Sequence, residues 1–278
     1  MKKPLKRPIF TRAKVVFVLI FSIFLLIFLT GCMRNSSGVI LAGSTSVQPF
    51  AEVLSEEYMV LHHGVTIDVQ GGGSAAGILA AQSGTADIGM SSRSLAGDET
   101  KLWSVEIARD GLAIVINAHN PVVNLTTEQV RDIYSGKIDN WSTLGGSKDQ
   151  IHVFTREDGS GTRSSFETLV MGKTEINPRT MVEDSNGAIR QLVGDDPDAI
   201  GYISLGLVDK TVKAVELNGV VASREHVIDG SYGLSRPFLF LCKNEPTGLT
   251  KAFIDFTLSD QGKQILDQQG LITTGITP

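Results

Sequence analysis

The sequence predicts an α/β fold with largely parallel sheets. From residue 39 onward, short β-branched runs alternate with amphipathic stretches, the pattern of strand–helix–strand units. Three strand ends pass into clusters of Gly, Ser and Thr and then directly into helical patterns. No fixed-period repeat or low-complexity tract competes with this reading.

The first strand, 39–42, ends at Gly43-Ser44-Thr45-Ser46-Val47, and a helix follows over 47–61. The second, 65–69, runs into Gly71-Gly72-Gly73-Ser74-Ala75-Ala76-Gly77, which opens a helix over 75–83. A strand at 87–90 leads to Ser91-Ser92-Arg93, and the apolar run 112–117 is another. After a helix over 127–135, the strand 151–155 passes through Thr155-Arg156-Glu157-Asp158-Gly159-Ser160-Gly161-Thr162 into a helix over 161–171. A helix at 185–193, strands at 199–203 and 237–242, and helices at 247–258 and 261–269 complete the body. Asn117-Ala118-His119-Asn120-Pro121 and Arg236-Pro237 read as turn punctuation. They bound an inserted domain, 117–235, within a discontinuous one, 39–116 and 236–278.

The first 31 residues stand apart. They hold six bases and no acid, and Val15 to Leu29 is apolar except for Ser22. That run of 15 residues is shorter than the roughly 20 a permanent membrane helix needs, so it reads as a secretory signal. Leu29-Thr30-Gly31-Cys32 resembles a bacterial lipobox, which implies lipid on Cys32 and cleavage before it; an uncut signal anchor is the alternative. Residues 32–38 then form a tether, and the body is extracytoplasmic and lipid-anchored to the cell membrane. Cys242, the only other cysteine, leaves no internal disulfide and reads as a buried small hydrophobe. A body of 247 residues is large enough to need none. From Cys32 onward 19 bases face 30 acids, a formal charge of −11, which argues against a nucleic-acid or anionic-lipid surface.

The three Gly/hydroxyl loops carry the chemistry. A helix start leaves backbone N–H groups unpaired, and its dipole places about half a positive charge there, so such an end binds oxyanions. Glycine admits a close backbone approach and hydroxyls rotate to donate. Each loop alone is also explained by ordinary caps and turns. Arg156, the one arginine among the three, can grip two oxygens as a fork, with Asp158 placed to orient it; a surface ion pair with Glu157 or Asp158 is the competing reading. Arg93, in a fourth and weaker loop, either faces the same cleft or neutralises Asp98 and Glu99.

In order and spacing, Gly43 to Val47, Gln70 to Gly77, Asp87 to Arg93 and Arg156-x-x-Gly159-Ser160-Gly161-Thr162 resemble the phosphate-binding lipoproteins of phosphate ABC transporters, the PstS type. The resemblance covers 39–278. It implies a two-lobed periplasmic-binding-protein (type II) fold with the ligand in the cleft. It also implies phosphate contacts at Ser46, Val47, Ser74, Ser92, Arg156, Ser160, Gly161 and Thr162, with Thr45 as a further contact, and delivery to membrane permease subunits. The best-known members carry Asp where this chain has Ser92. There a carboxylate accepts a hydrogen bond from the proton that phosphate keeps and sulfate lacks, so the origin of sulfate rejection differs here. One arginine cannot neutralise a dianion, and helix starts and hydroxyls must supply the rest. Closure of two lobes about a hinge would then bury the anion.

The rival readings are weaker. Gly72-Gly73-Ser74-Ala75-Ala76 ends in Ala where a nucleophile elbow needs Gly. His62, His63, His119, His152 and His226 show no metal spacing, and the Gly-Ser-Gly-Thr loop lacks the Walker lysine. An enzyme, a metal and a cofactor are therefore not expected. A binding protein or sensor for molybdate, tungstate or sulfate keeps the fold and changes the cargo. The chain is expected to act as a monomer. Trp103 and Trp141 read as packing residues.

Overall fold

The computed structural model describes residues 37–273. The signal segment, Cys32 and most of the tether lie outside the described residues. The elements are β1 (Ser37–Gly43), α1 (Gln48–Leu61), β2 (Val65–Gly71), α2 (Ser74–Ser83), β3 (Ile88–Ser91), β4 (Trp103–Asn117), β5 (Asn124–Leu125), α3 (Thr127–Ser135), β6 (His152–Arg156) and α4 (Gly161–Phe166). They continue as β7 (Met181–Glu183), α5 (Asn186–Asp195), β8 (Ala199–Ser204), β9 (Val212–Ala214), β10 (Glu216–Leu217), α6 (Arg224–Ile228), β11 (Ser235–Cys242), α7 (Gly248–Leu258) and α8 (Asp260–Gln268). The first strand begins at Ser37, so the tether expected over 32–38 is shorter by two residues. Among the described residues no helix is long and apolar enough to cross a membrane.

Among the described residues nine strands form one sheet in the order β2-β1-β3-β11-β4-β8-β6-β7, with β9 also paired to β4. The expectation of largely parallel sheets is corrected here, because the sheet is mixed. Pairs β1–β3, β6–β7 and β6–β8 are parallel, as strands separated by helices should be. By contrast β11 is antiparallel to both β3 and β4, and β4 to both β8 and β9. Strand β11 arrives from the far end of the chain and inserts between β3 and β4, so no crossover helix sets its direction.

Arg236-Pro237, read as a turn, lies inside β11. Proline removes one ladder donor, and the register with β4 shifts just beyond it, between Phe238 and Leu239. The helix expected over 161–171 is α only to Phe166 and continues as a π turn over Glu167–Met171.

Helix ends follow their local chemistry. Thr126 and Gln129 form a capping box on α3, which stops at left-handed Gly136. Two helix starts at the sheet are different: Val47 before α1 and Gly73 before α2 make no side-chain cap. Helix α2 packs hard on the sheet through Gly77, where a Cβ would stand 2.6 Å from the carbonyls of both Ala42 and Met90.

Buried apolar side chains gather in two main groups. One holds Val39, Leu41, Phe50, Leu54, Ile88, Ile107, Phe238, Phe240 and Phe253. The other holds Leu112, Ile114, Ile116, Tyr134, Trp141, Phe166 and Tyr202. Strand β4 contributes to both, and the changeover falls at Arg109-Asp110-Gly111, between Ala108 and Leu112. Trp141 is fully buried and donates its ring N–H to the Asp198 carbonyl at 2.8 Å. Cys242 is a buried free thiol whose pKa burial pushes up to about 11, which suits the inert role expected for it.

Candidate functional site

The loops after β1, β2, β3 and β6 meet at one place. Backbone bonds stitch them together: Gly73 N–H to the Gly43 carbonyl at 3.0 Å, Ser44 N–H to Met90 at 3.0 Å and Ala75 N–H to Gly159 at 3.0 Å. Ser46, Ser74, Ser92, Arg156, Ser160 and Thr162 are all buried, none above 2% exposed. Ser46 Oγ lies 2.7 Å from Thr162 Oγ1, joining hydroxyls 116 residues apart. Ser74 Oγ accepts from the Ser92 N–H at 3.0 Å and lies 3.3 Å from Ser92 Oγ.

Gly161 sits against both serines, where a Cβ would come within 2.7 Å of Ser92 Oγ and collide with Ser74 Oγ. Ser160 caps α4 by accepting from the Arg163 N–H at 3.2 Å. The Val47 N–H is engaged by the Ser44 carbonyl at 3.1 Å, the Ser46 N–H by Ser44 Oγ at 3.2 Å and the Ser160 N–H by the Glu157 carbonyl at 3.0 Å, so these three donors are turned inward to their own loops.

Arg156 is 1% exposed and is therefore no surface pair. Glu157, not Asp158, orients it: Nε and Nη2 donate to the two Glu157 oxygens at 2.9 and 3.0 Å. Asp158 instead pairs with Arg163 at 2.6 Å. The carbonyls of Glu183 and Asp184 and the hydroxyl of Thr45 accept further bonds from the Arg156 guanidinium, at 3.1, 2.9 and 3.1 Å. Nη1 is buried with no partner among the described residues. Behind it, the Tyr202 hydroxyl accepts from the Arg156 N–H at 3.2 Å and lies 2.6 Å from Thr155 Oγ1. Burial pushes the Tyr202 pKa up to about 12, so this hydroxyl stays protonated at neutral pH.

Such an arrangement of hydroxyls, tight backbone turns and a buried guanidinium has the chemistry to hold an oxyanion. The comparisons with known proteins agree. The profile of the PBP superfamily domain matches residues 34–261. The phosphate-binding protein PstS of Bacillus subtilis is 31% identical over 245 residues, covering 86% of this chain and 81% of its own. This chain belongs to the PstS family. A phosphate ABC transporter substrate-binding protein from Clostridium perfringens, solved with bound phosphate, is 44% identical and superposes with a TM-score of 0.83, over 86% of this chain and all of that one. An ABC-type phosphate transport receptor from Vibrio cholerae is 42% identical with a TM-score of 0.70, over 84% of this chain and 99% of that one.

Three residues that the sequence reading did not place at the site join the cluster of this PstS-type chain. Asn186 donates to Ser46 Oγ at 2.8 Å, and Arg236 Nη2 does so at 3.2 Å. Asp110 accepts from Arg236 Nε and Nη2 at 3.0 and 2.8 Å, and from Ser204 Oγ at 2.8 Å. Two signals for them existed: an acid inside the long apolar stretch that follows Ile107, and an arginine opening Arg-Pro-Phe-Leu-Phe-Leu.

Arg93 takes the second of its two expected roles in part: it pairs with Glu99, while Asp98 pairs with Lys101 at 2.7 Å. Its Nη1 and Nη2 donate to Glu99 at 2.7 and 2.8 Å. That hydrogen bond, chiefly, holds the Glu99 carboxyl below its ordinary value. A depressed carboxylate stabilises the fold above its ordinary pKa, and the contribution is lost as pH falls through the depressed value. Being partly exposed, the pair contributes about 0.5–1 kcal/mol. Glu99→Gln is therefore expected to lower the melting temperature at neutral pH by about 1–4 °C, with the gap to wild type closing in acid. A gap independent of pH in melting curves would refute this.

Proposed function

We propose that this chain binds inorganic phosphate outside the cytoplasm and delivers it to the permease subunits of an ABC transporter. The observation that carries the reading is the meeting of the hydroxyls of Ser46 and Thr162, and of Ser74 and Ser92, in the loops that also hold the buried Arg156, whose Nη1 has no partner among the described residues. Relatives named for phosphate binding and a phosphate-bound structure at 44% identity support it. In this reading Thr45, Ser46, Val47, Ser74, Ser92, Arg156, Ser160, Gly161 and Thr162 form the phosphate shell. Uncapped starts of α1 and α2 add dipole stabilisation.

In this reading residues 39–116 and 236–278 form one lobe and 117–235 the other, with β4 and β11 as the two crossings; the changeover between buried groups within β4 falls earlier, at Arg109–Gly111, so Leu112, Ile114 and Ile116 go with the second lobe. Because loops from both lobes touch one anion, binding favours closure, and the closed form is what the permease reads. The relatives are substrate-binding transport proteins. Cleavage before Cys32 and a lipid on that residue would hold the protein at the membrane as a monomer.

Calorimetric titration of the full chain in mild detergent with phosphate, sulfate and molybdate tests the cargo. Tight phosphate binding that the other two do not match supports the reading, and preference for either of them would sink it. Gly161→Ala is expected to weaken phosphate roughly 10- to 100-fold, because its methyl would collide with Ser74 Oγ. Unchanged affinity in that variant would show that Ser74 and Gly161 do not approach in the bound form.

A further inference from the structure

Arg156 and Arg236 are held in the same way. In Arg156 the side-on edge of the guanidinium, Nε and Nη2, grips Glu157. In Arg236 the same edge grips Asp110 Oδ2. Each Nη2 also reaches a hydroxyl, and the two hydroxyls are neighbours in sequence: Thr45 for Arg156 at 3.1 Å and Ser46 for Arg236 at 3.2 Å. Each Nη1 is buried with no partner among the described residues.

This duplication is unfavourable on its own terms. Asp110 and Arg236 are 1% and 2% exposed, and a fully buried ion pair is seldom a gain over apolar packing. Burial, and then the like charge of Arg156, lower the Arg236 pKa against the pull of Asp110. Guanidinium N–H groups without an acceptor add a further penalty. An anion lying against both Nη1 groups offsets the repulsion and satisfies the donors together.

We propose that Arg236 is a second anion-binding arginine of this site, and that Asp110 is the residue that positions it. The inference rests on the phosphate reading above and names the charge state that the site takes. Asp110 Oδ1 is engaged by Ser204, Oδ2 by Arg236, and both Glu157 oxygens by Arg156. Among the described residues the cradle thus presents two guanidinium Nη1 groups and several hydroxyls but no free carboxylate, a donor set suited to the phosphate dianion. Arg236 and Asp110 are also register partners on β11 and β4, at the changeover between the buried groups. An anion held by Arg236 is thereby tied to both crossing strands.

The test is phosphate calorimetry on the full chain in mild detergent, with melting curves for every protein. The set is wild type, Arg156→Gln, Arg236→Gln, Arg236→Lys, Asp110→Asn and the double variant Asp110→Asn/Arg236→Gln. The double variant leaves no buried charge orphaned, so it keeps the test open where a single variant fails to fold. Arg236→Gln and the double variant are expected to bind at least about 100-fold more weakly. Arg236→Lys should recover about 10-fold of that loss, and Asp110→Asn alone should cost about 10-fold. Wild-type affinity in a folded double variant, with binding lost in Arg156→Gln, would overturn this inference and leave the phosphate reading intact. Failure of the wild type to bind phosphate would overturn both.

Discussion

Arg156→Ala is expected to lose phosphate binding almost completely while the protein remains folded. Arg156 is the hub on which six groups converge: Glu157, the Glu183 and Asp184 carbonyls, the Thr45 hydroxyl and, through its backbone, Tyr202 and Arg163. Truncating a buried, hydrogen-bonded charge at a binding site costs about 3–5 kcal/mol, or roughly 150- to 4,000-fold in affinity. The fold should tolerate the change because Glu157, the charge left behind, is 31% exposed and can be hydrated. Lysine at the same position should restore little, since it has no fork to hold Glu157 and an anion at once. Calorimetry and circular dichroism on the same samples decide the matter, and a folded variant that still binds within tenfold of wild type would contradict it.

The second large effect is on stability. Phe166 is fully buried at the end of α4, stacked on Tyr202 with centroids 4.1 Å apart and tilted against Tyr134 at 4.5 Å. Phe166→Ala is expected to cost about 3–5 kcal/mol, as other large-to-small core substitutions do. For a body of this size that lowers the melting temperature by about 6–20 °C. The same change should also weaken phosphate binding, because Phe166 supports Tyr202 and Tyr202 receives the Arg156 N–H. A loss of stability with wholly unchanged affinity would mean that the aromatic stack and the cradle are independent.

The parts of this structure encoded over a few neighbouring residues were legible in the sequence. Helix α3 falls on the predicted residues because Thr126 and Gly136 mark both of its ends. The four site loops were found because glycines and hydroxyls sit beside one another at strand ends. What was missed arrives from afar. Arg236 meets Ser46 across 190 residues and Asp110 across 126, and Asn186 meets Ser46 across 140. No window of local sequence contains those pairs. The first half of β4 was overlooked because Glu106, Arg109, Asp110 and Gly111 are poor strand formers, and pairing with β11 overrides their preference. The choice of Glu157 over Asp158 as partner for Arg156 depends on how one loop turns, which residue type alone does not state.

The insertion of β11 between β3 and β4 bears on how the chain acquires its fold. Strands β3 and β4 are complete by Asn117, yet the strand that separates them begins at Ser235. Until the ribosome has released that last strand, both earlier ones carry open edges, which invite pairing with other chains. Folding must therefore wait for a contact of long sequence separation, a circumstance that slows it. A chain truncated before Ser235 should be aggregation-prone rather than merely weak in binding. The full-length chain should stay open for some time after synthesis, until β11 has paired with both β3 and β4.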